Sequence, residues 1–110
     1  MKFKKGDTYH ISFVVNSDVY NGFIAIFNDQ NPLHTDERFA INKGFKGSVM
    51  HGNILNGFLS NFVGEHLPDK NVIIHSQSIQ YKQPVYLNDV LQFTATVNDI
   101  YESEIGRAHV

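Results

Sequence analysis

The sequence predicts a single α+β domain in which an antiparallel sheet packs against one long helix. One strand pattern precedes the helical patterns and two strand patterns follow them, with no repeated strand–helix–strand units. Runs of strands without alternating crossovers favour an antiparallel layer over a doubly wound sheet. The 110 residues correspond to one domain, and the 42% apolar content is ordinary for a globular protein.

The first half of the chain predicts a strand, a helix and a polar loop. Apolar side chains alternate from residue 8 to residue 15, which predicts a strand with one buried face. Asn16 then offers a helix cap, and apolar residues at helical spacing predict a helix over residues 18–27. The Asn31-Pro32 pair requires that helix to end first, because proline disfavours helical geometry in the preceding residue. A short helical turn is expected over residues 36–42.

The second half predicts a long helix followed by two strands. Apolar residues recur at helical spacing over residues 54–63, and Pro68 stops the helix. Residues 72–81 predict a long strand, and residues 90–97 predict another after a turn at 87–89.

Two glycines lie within the long helix. Gly57 and Gly64 would each cost about 1 kcal/mol relative to alanine in a helix interior. Their presence fits either a close approach of another backbone or a loosely packed helix edge, and both interpretations stay open here.

Charge and composition exclude several classes of protein. The formal net charge of −2 provides no basic surface for a nucleic acid or anionic membrane partner. The absence of cysteine excludes disulfides, a thiol nucleophile and a cysteine zinc site. No apolar run approaches the roughly 20 residues needed to span a bilayer, and the first residues, which no apolar segment follows, do not predict a signal peptide. We therefore expect a soluble cytoplasmic domain.

Candidate catalytic residues are concentrated between the two longer helices. Asp29 and His34 lie in a loop that no hydrophobic period explains, and a carboxylate beside an imidazole can hold a water and exchange protons with it. His51 and Gly52 lie at the start of the long helix, where the glycine N–H can approach a ligand and stabilise a developing oxyanion. Ser60 offers a hydroxyl that can orient a carboxylate.

Other interpretations of these residues remain open on spacing alone. Asp29 is also a common turn former, and His34 in a polar loop is commonly a solvated side chain. His34, Asp36 and His51 are possible metal ligands, but no metal-binding motif such as H-E-x-x-H is present. We therefore predict no metal.

The loop resembles the signature of a known family. Its sequence from Phe27 to His34 contains D-x-N-P-x-H, which is similar to the catalytic element of MaoC-like and (R)-specific enoyl-CoA hydratases. The likeness continues through His51-Gly52, a serine eight residues later, and the segment 77–85. This resemblance implies a hot-dog fold, with a sheet wrapped around a central helix over about residues 52–67, and a homodimer.

The resemblance also implies a reaction and roles. Asp29 and His34 would activate a water that adds to a trans-2-enoyl thioester, and Gly52 N–H would polarise the thioester carbonyl. Ser60 would orient Asp29, while residues Asn31 and His51 would belong to the substrate-binding region. No cofactor is implied beyond the coenzyme A or acyl-carrier thioester that is the substrate. An acyl-CoA thioesterase and a non-catalytic acyl-thioester-binding domain are the alternatives.

The end of the chain departs from this resemblance. We expect residues 1–103 to form an incomplete MaoC-like domain that lacks the last two strands. Residues 104–110 do not resemble the family and look like a translated sequencing adapter, so we expect a non-native tail. Missing strands would expose a sheet edge, so we expect the 110-residue chain by itself to be poorly stable and inactive, and the full-length parent protein to be the enzyme.

Overall fold

The computed structural model describes residues 2–102 and 108–109, so most of the expected tail at 104–110 lies outside the described residues. Its helices and strands are β1 (Thr8–Val14), α1 (Ser17–Phe27), α2 (Pro32–Thr35), α3 (Glu37–Asn42), α4 (Ile54–Asn61), a π-helical turn (Phe62–His66), β2 (Val90–Thr96), β3 (Tyr101–Glu102) and β4 (Ala108–His109). In the part of the chain described, we find no helix that is long and apolar enough to cross a bilayer.

Strands β1 and β2 form an antiparallel pair against the central helix. Their register runs from Thr8 opposite Thr96 to Val14 opposite Val90, and exposure alternates along both strands, as the sequence predicts for β1. The inward face carries Phe13, whose ring stacks on Phe58 of α4 with centroids 4.6 Å apart. The predicted α+β class is therefore confirmed, while β3 and β4 form a separate two-stranded sheet.

Helix α1 begins and ends on asparagines. The Asn16 side chain accepts a hydrogen bond from Val19 N–H at 2.9 Å, which satisfies one of the free donors of the first turn. Asn28 ends the helix in the left-handed conformation at φ 55°, and its N–H donates to Ile24. The inner face of α1 packs on a core formed by Val15, Met50 and Ile54.

The predicted polar loop after α1 contains a helical turn that the sequence analysis missed. Asn31 caps α2 by accepting a hydrogen bond from Leu33 N–H at 2.9 Å, and Pro32 occupies the first helical position. Proline is favoured there because its fixed φ suits the helix and its missing N–H needs no partner. Asp36 then caps α3 by accepting from Phe39 N–H at 3.1 Å.

The central helix begins later in the sequence than expected from the predicted range of residues 52–67. It begins at Ile54, and the π-helical turn carries it to His66 before Pro68. A Cβ built at Gly57 or Gly64 would meet no described atom within 4 Å. Close approach of a backbone within the described chain therefore does not explain these glycines.

The prediction of a strand over residues 72–81 is wrong for the described structure. This segment has no strand assignment, and among the described residues no backbone hydrogen bond pairs it with another strand. Its first part lies against the central helix, where Val72 to Gln77 share a groove with Leu59 and Phe62. β-branched residues such as Val72, Ile73 and Ile74 favour extended packing, but a strand also requires a neighbour that pairs with its backbone.

Candidate active site

The loop after α1 brings Asp29 and His34 together. His34 Nδ1 lies 2.7 Å from the backbone oxygen of Val49. Because a carbonyl oxygen only accepts, Nδ1 must carry the proton, and Nε2 is left facing the carboxylate. His34 Nε2 and Asp29 Oδ2 are 4.0 Å apart, with the side chains 17% and 50% exposed, respectively.

This separation suits one shared water molecule. A water oxygen about 2.8 Å from each atom would hydrogen-bond to both, whereas 4.0 Å is too long for a direct hydrogen bond. With neutral His34, Nε2 is a proton acceptor, and with the imidazolium it is a donor beside an accepting carboxylate. The pair can therefore remove a proton from the water and return one to a substrate.

His51 forms a buried support behind the pair. His51 is only 3% exposed, and its ring stacks on the ring of His34 with centroids 4.0 Å apart. Its Nε2 lies 2.8 Å from the backbone oxygen of Asp29, so this nitrogen donates. The other nitrogen, Nδ1, is buried and has no hydrogen-bond partner among the described residues. His51 thus contacts both members of the pair from one side.

A cavity of about 530 Å³ joins this pair to the start of the central helix. Its wall includes Asp29, His34, His51 and Gly52, all of which the sequence analysis selected. The Gly52 N–H lies before the first turn of α4 and makes no hydrogen bond within the described part of the chain. A free N–H at this position can stabilise negative charge on a ligand oxygen.

Asp29 also borders a second, more apolar cavity. This open space of about 730 Å³ lies between α1 and α4. Its apolar lining consists of Val19, Phe23, Phe27, Ile54 and Phe58. A carboxylate at the edge of an apolar groove is suited to a substrate with a polar reacting end and a hydrocarbon chain.

Two predicted site residues lie elsewhere. The Asn31 side chain is exposed and caps α2, which explains this residue without a ligand. Ser60 lies on an exposed face of α4, borders neither cavity, and makes no hydrogen bond to Asp29 among the described residues. Both predicted roles stay predictions.

The metal-ligand alternative does not match the observed cluster. Asp36 caps α3, whereas the ligand atoms that come within 4.8 Å of one another belong to Asp29, His34 and His51. The two imidazole rings are stacked at an interplanar angle of 29°, so the planes that contain their nitrogen lone pairs are nearly parallel. One nitrogen of each imidazole faces a backbone carbonyl oxygen, and the absence of a metal stays a prediction.

The sequence analysis missed two contributors to the site. Val49 provides the carbonyl that orients His34, and Tyr20 donates its hydroxyl to the His34 backbone oxygen at 2.7 Å. Tyr20 follows the apolar period of α1, so its sequence pattern is that of a core residue. The sequence pattern predicts that the aromatic ring is in the core, but it contains no information about the polar contact of the hydroxyl.

A testable consequence concerns the close contact of Gly52 with Tyr81. A Cβ at Gly52 would lie 3.1 Å from the nearest atom of the Tyr81 ring, which must shift to accommodate it. We expect Gly52→Ala to destabilise the fold by about 1 kcal/mol, the low end for overpacking, because Tyr81 is 53% exposed and can move. Urea unfolding followed by circular dichroism measures the change.

Gly57→Ala is the matched control. Gly57 lies within α4 and its Cβ would meet open space, so we expect a gain of about 1 kcal/mol from helix propensity. A Gly52→Ala variant as stable as the unmodified chain would show that Tyr81 does not rest on this glycine.

Solved structures with a similar fold identify the fold class. The (R)-hydratase from A. caviae involved in PHA biosynthesis superposes with a TM-score of 0.81 at 30% identity, covering 92% of this chain and 76% of that one. Protein af1124 from Archaeoglobus fulgidus gives a TM-score of 0.83 at 29% identity, over 93% of this chain and 64% of the other. The chain therefore has the predicted hot-dog fold.

Sequence comparisons then place the chain in its family. The MaoC like domain matches residues 2–109. An (R)-specific enoyl-CoA hydratase from Rhodospirillum rubrum is 33% identical over 98 residues, which cover 88% of this chain and 67% of the relative. The match to the Aeromonas caviae relative with the same name covers 61% of that protein's length. The chain belongs to the MaoC-like domain family, whose named relatives are hydratases and dehydratases.

Proposed function

We propose that the full-length protein acts in the reversible hydration of a trans-2-enoyl thioester to an (R)-3-hydroxyacyl thioester, and that this chain supplies its acid–base pair. The observation that carries the proposal is the 4.0 Å separation of His34 Nε2 and Asp29 Oδ2 in one cavity with Gly52. Relatives named (R)-specific enoyl-CoA hydratase at 33% and 34% identity support the same reaction class.

The proposed chemistry uses the pair for both proton transfers. A water held between Asp29 and His34 gives a proton to the basic member while its oxygen bonds to C3 of the substrate. The electrons of the C2–C3 double bond shift towards the thioester carbonyl, where the Gly52 N–H stabilises the negative charge. The protonated member then returns a proton to C2, so the sum is one added water with no oxidation or reduction.

The two cavities suit the two ends of such a substrate. The thioester would lie beside Gly52 in the first cavity, and the acyl chain would follow the apolar groove bordered by Phe23 and Phe27. Coenzyme A or a carrier protein would deliver the acyl group. We further propose that the active assembly is a homodimer in the cytoplasm.

Crotonyl-CoA provides the direct test of hydration by the full-length protein, in which the activity variants described below are also made. We expect its enoyl absorbance to fall without release of free thiol, because water is directed to C3 and not to the carbonyl carbon. Chiral chromatography of the hydrolysed product should show the (R)-3-hydroxy acid. Thiol release with no loss of enoyl absorbance would contradict hydration and favour a thioesterase.

A further inference from the structure

Tyr20 on helix α1 contacts the segment that carries the candidate catalytic residues Asp29 and His34. Its hydroxyl donates to the backbone oxygen of His34 at 2.7 Å, in a partly buried contact between residues 14 positions apart. The last carbonyls of a helix lack partners within it, and α2 is only one turn long. Tyr20 therefore supplies a partner to the carbonyl of the residue that bears the candidate catalytic imidazole.

The ring of Tyr20 makes a second contact on the same group. Its centroid lies 5.9 Å from that of His51, whose ring stacks on His34 at 4.0 Å. His51 also donates to the backbone of Asp29. A single side chain thus fixes His34 through its backbone and supports the histidine that holds both members of the pair.

Tyr20 acts on this site without bordering it. The residue lines neither the cavity with Gly52 nor the apolar groove beside Asp29. A substrate in these cavities would meet the pair but not the tyrosine. Loss of the hydroxyl should therefore alter the reacting geometry more than substrate affinity.

We propose that Tyr20 is a positioning residue for the hydration reaction, acting through the backbone of His34. This inference rests on the proposed function, because it assigns His34 a part in proton transfer. Small displacements of a reacting group by about 1 Å reduce rates by up to about 100-fold, so a hydrogen bond that fixes the loop is kinetically important.

The test is Tyr20→Phe, which removes the hydroxyl and keeps the ring on His51. We expect kcat for crotonyl-CoA hydration to fall by about 10-fold to 100-fold, with KM little changed. Tyr9→Phe is the matched control, because Tyr9 lies on β1 and its hydroxyl makes no hydrogen bond among the described residues. We expect its kcat to equal that of the unmodified chain.

A spectroscopic measurement separates positioning from general stability. Nitrogen-15 chemical shifts of the His34 ring should show one tautomer, protonated on Nδ1, in the unmodified chain and in Tyr9→Phe. We expect Tyr20→Phe to show a mixed tautomer signal at temperatures where thermal unfolding shows both variants to be folded. A purely structural hydroxyl would lower the melting temperature but leave this signal unchanged.

The outcomes distinguish this inference from the proposed function. Hydration by the unmodified chain with equal kcat in Tyr20→Phe would overturn the positioning role and leave the proposed function intact. An unmodified chain that is folded but does not hydrate enoyl thioesters would overturn the proposed function, and the positioning role with it. A lower kcat with an altered His34 signal supports both.

Discussion

Replacing Asp29 with asparagine is expected to lower kcat for crotonyl-CoA hydration by about 100-fold to 10,000-fold, the usual contribution of a general acid or base. The amide keeps the size of the side chain, and its oxygen can still accept from Asn31 N–H, as Asp29 Oδ1 does at 3.2 Å. The substitution therefore removes the proton acceptor while leaving the local turn in place. Enoyl absorbance measures the rate.

Asp36→Asn is the matched control for this change. Asp36 lies seven positions further along the chain, and its carboxylate caps α3. Asparagine caps helices about as well as aspartate, so this variant should retain both its fold and its hydration rate. Equal turnover in Asp29→Asn and Asp36→Asn would remove Asp29 from the mechanism.

Replacing His34 with glutamine is expected to cause a loss of similar size. The glutamine amide can donate towards Val49, but it cannot take or give a proton as the imidazole does. We expect kcat to fall by about 100-fold to 10,000-fold. His10→Gln is the control, because His10 is exposed on β1 and distant along the strand from the site.

The double variant Asp29→Asn/His34→Gln tests whether the two residues act together. Groups that share one proton-transfer step are strongly non-additive, so the double variant should lose little more than the worse single variant. Fully multiplicative losses would contradict a water shared by the two side chains and indicate separate roles.

The periodic elements of the fold could be predicted from the sequence. Strand β1 and helix α1 follow clear alternating and helical patterns, and their observed bounds lie within a residue or so of the predicted ones. The segment 72–81 contains β-branched residues typical of a strand but lacks a paired backbone in the described structure. The local sequence pattern sets the conformational preference of a segment, whereas strand pairing also depends on a partner strand that is distant in the sequence.

The site could be predicted in part for the same reason. The D-x-N-P-x-H element identified Asp29 and His34, and the structure brings them to the same cavity as His51 and Gly52. The sequence contains no signal for the contact of Tyr20 with the His34 carbonyl. Such contacts depend on how α1 is placed over the loop, which is set by the packing of the whole domain.

Val49 has a consequence for how this site tolerates substitution. Its N–H donates to Leu33 and its carbonyl accepts from His34, while the adjacent Met50 N–H donates to Val85. The hydrogen-bonding groups that Val49 contributes are main-chain atoms, so exchanging its side chain for another leaves the acceptor in place. The tautomer of the imidazole is thus set by the course of the main chain, and we expect substitutions of the Val49 side chain to preserve the same acid–base geometry.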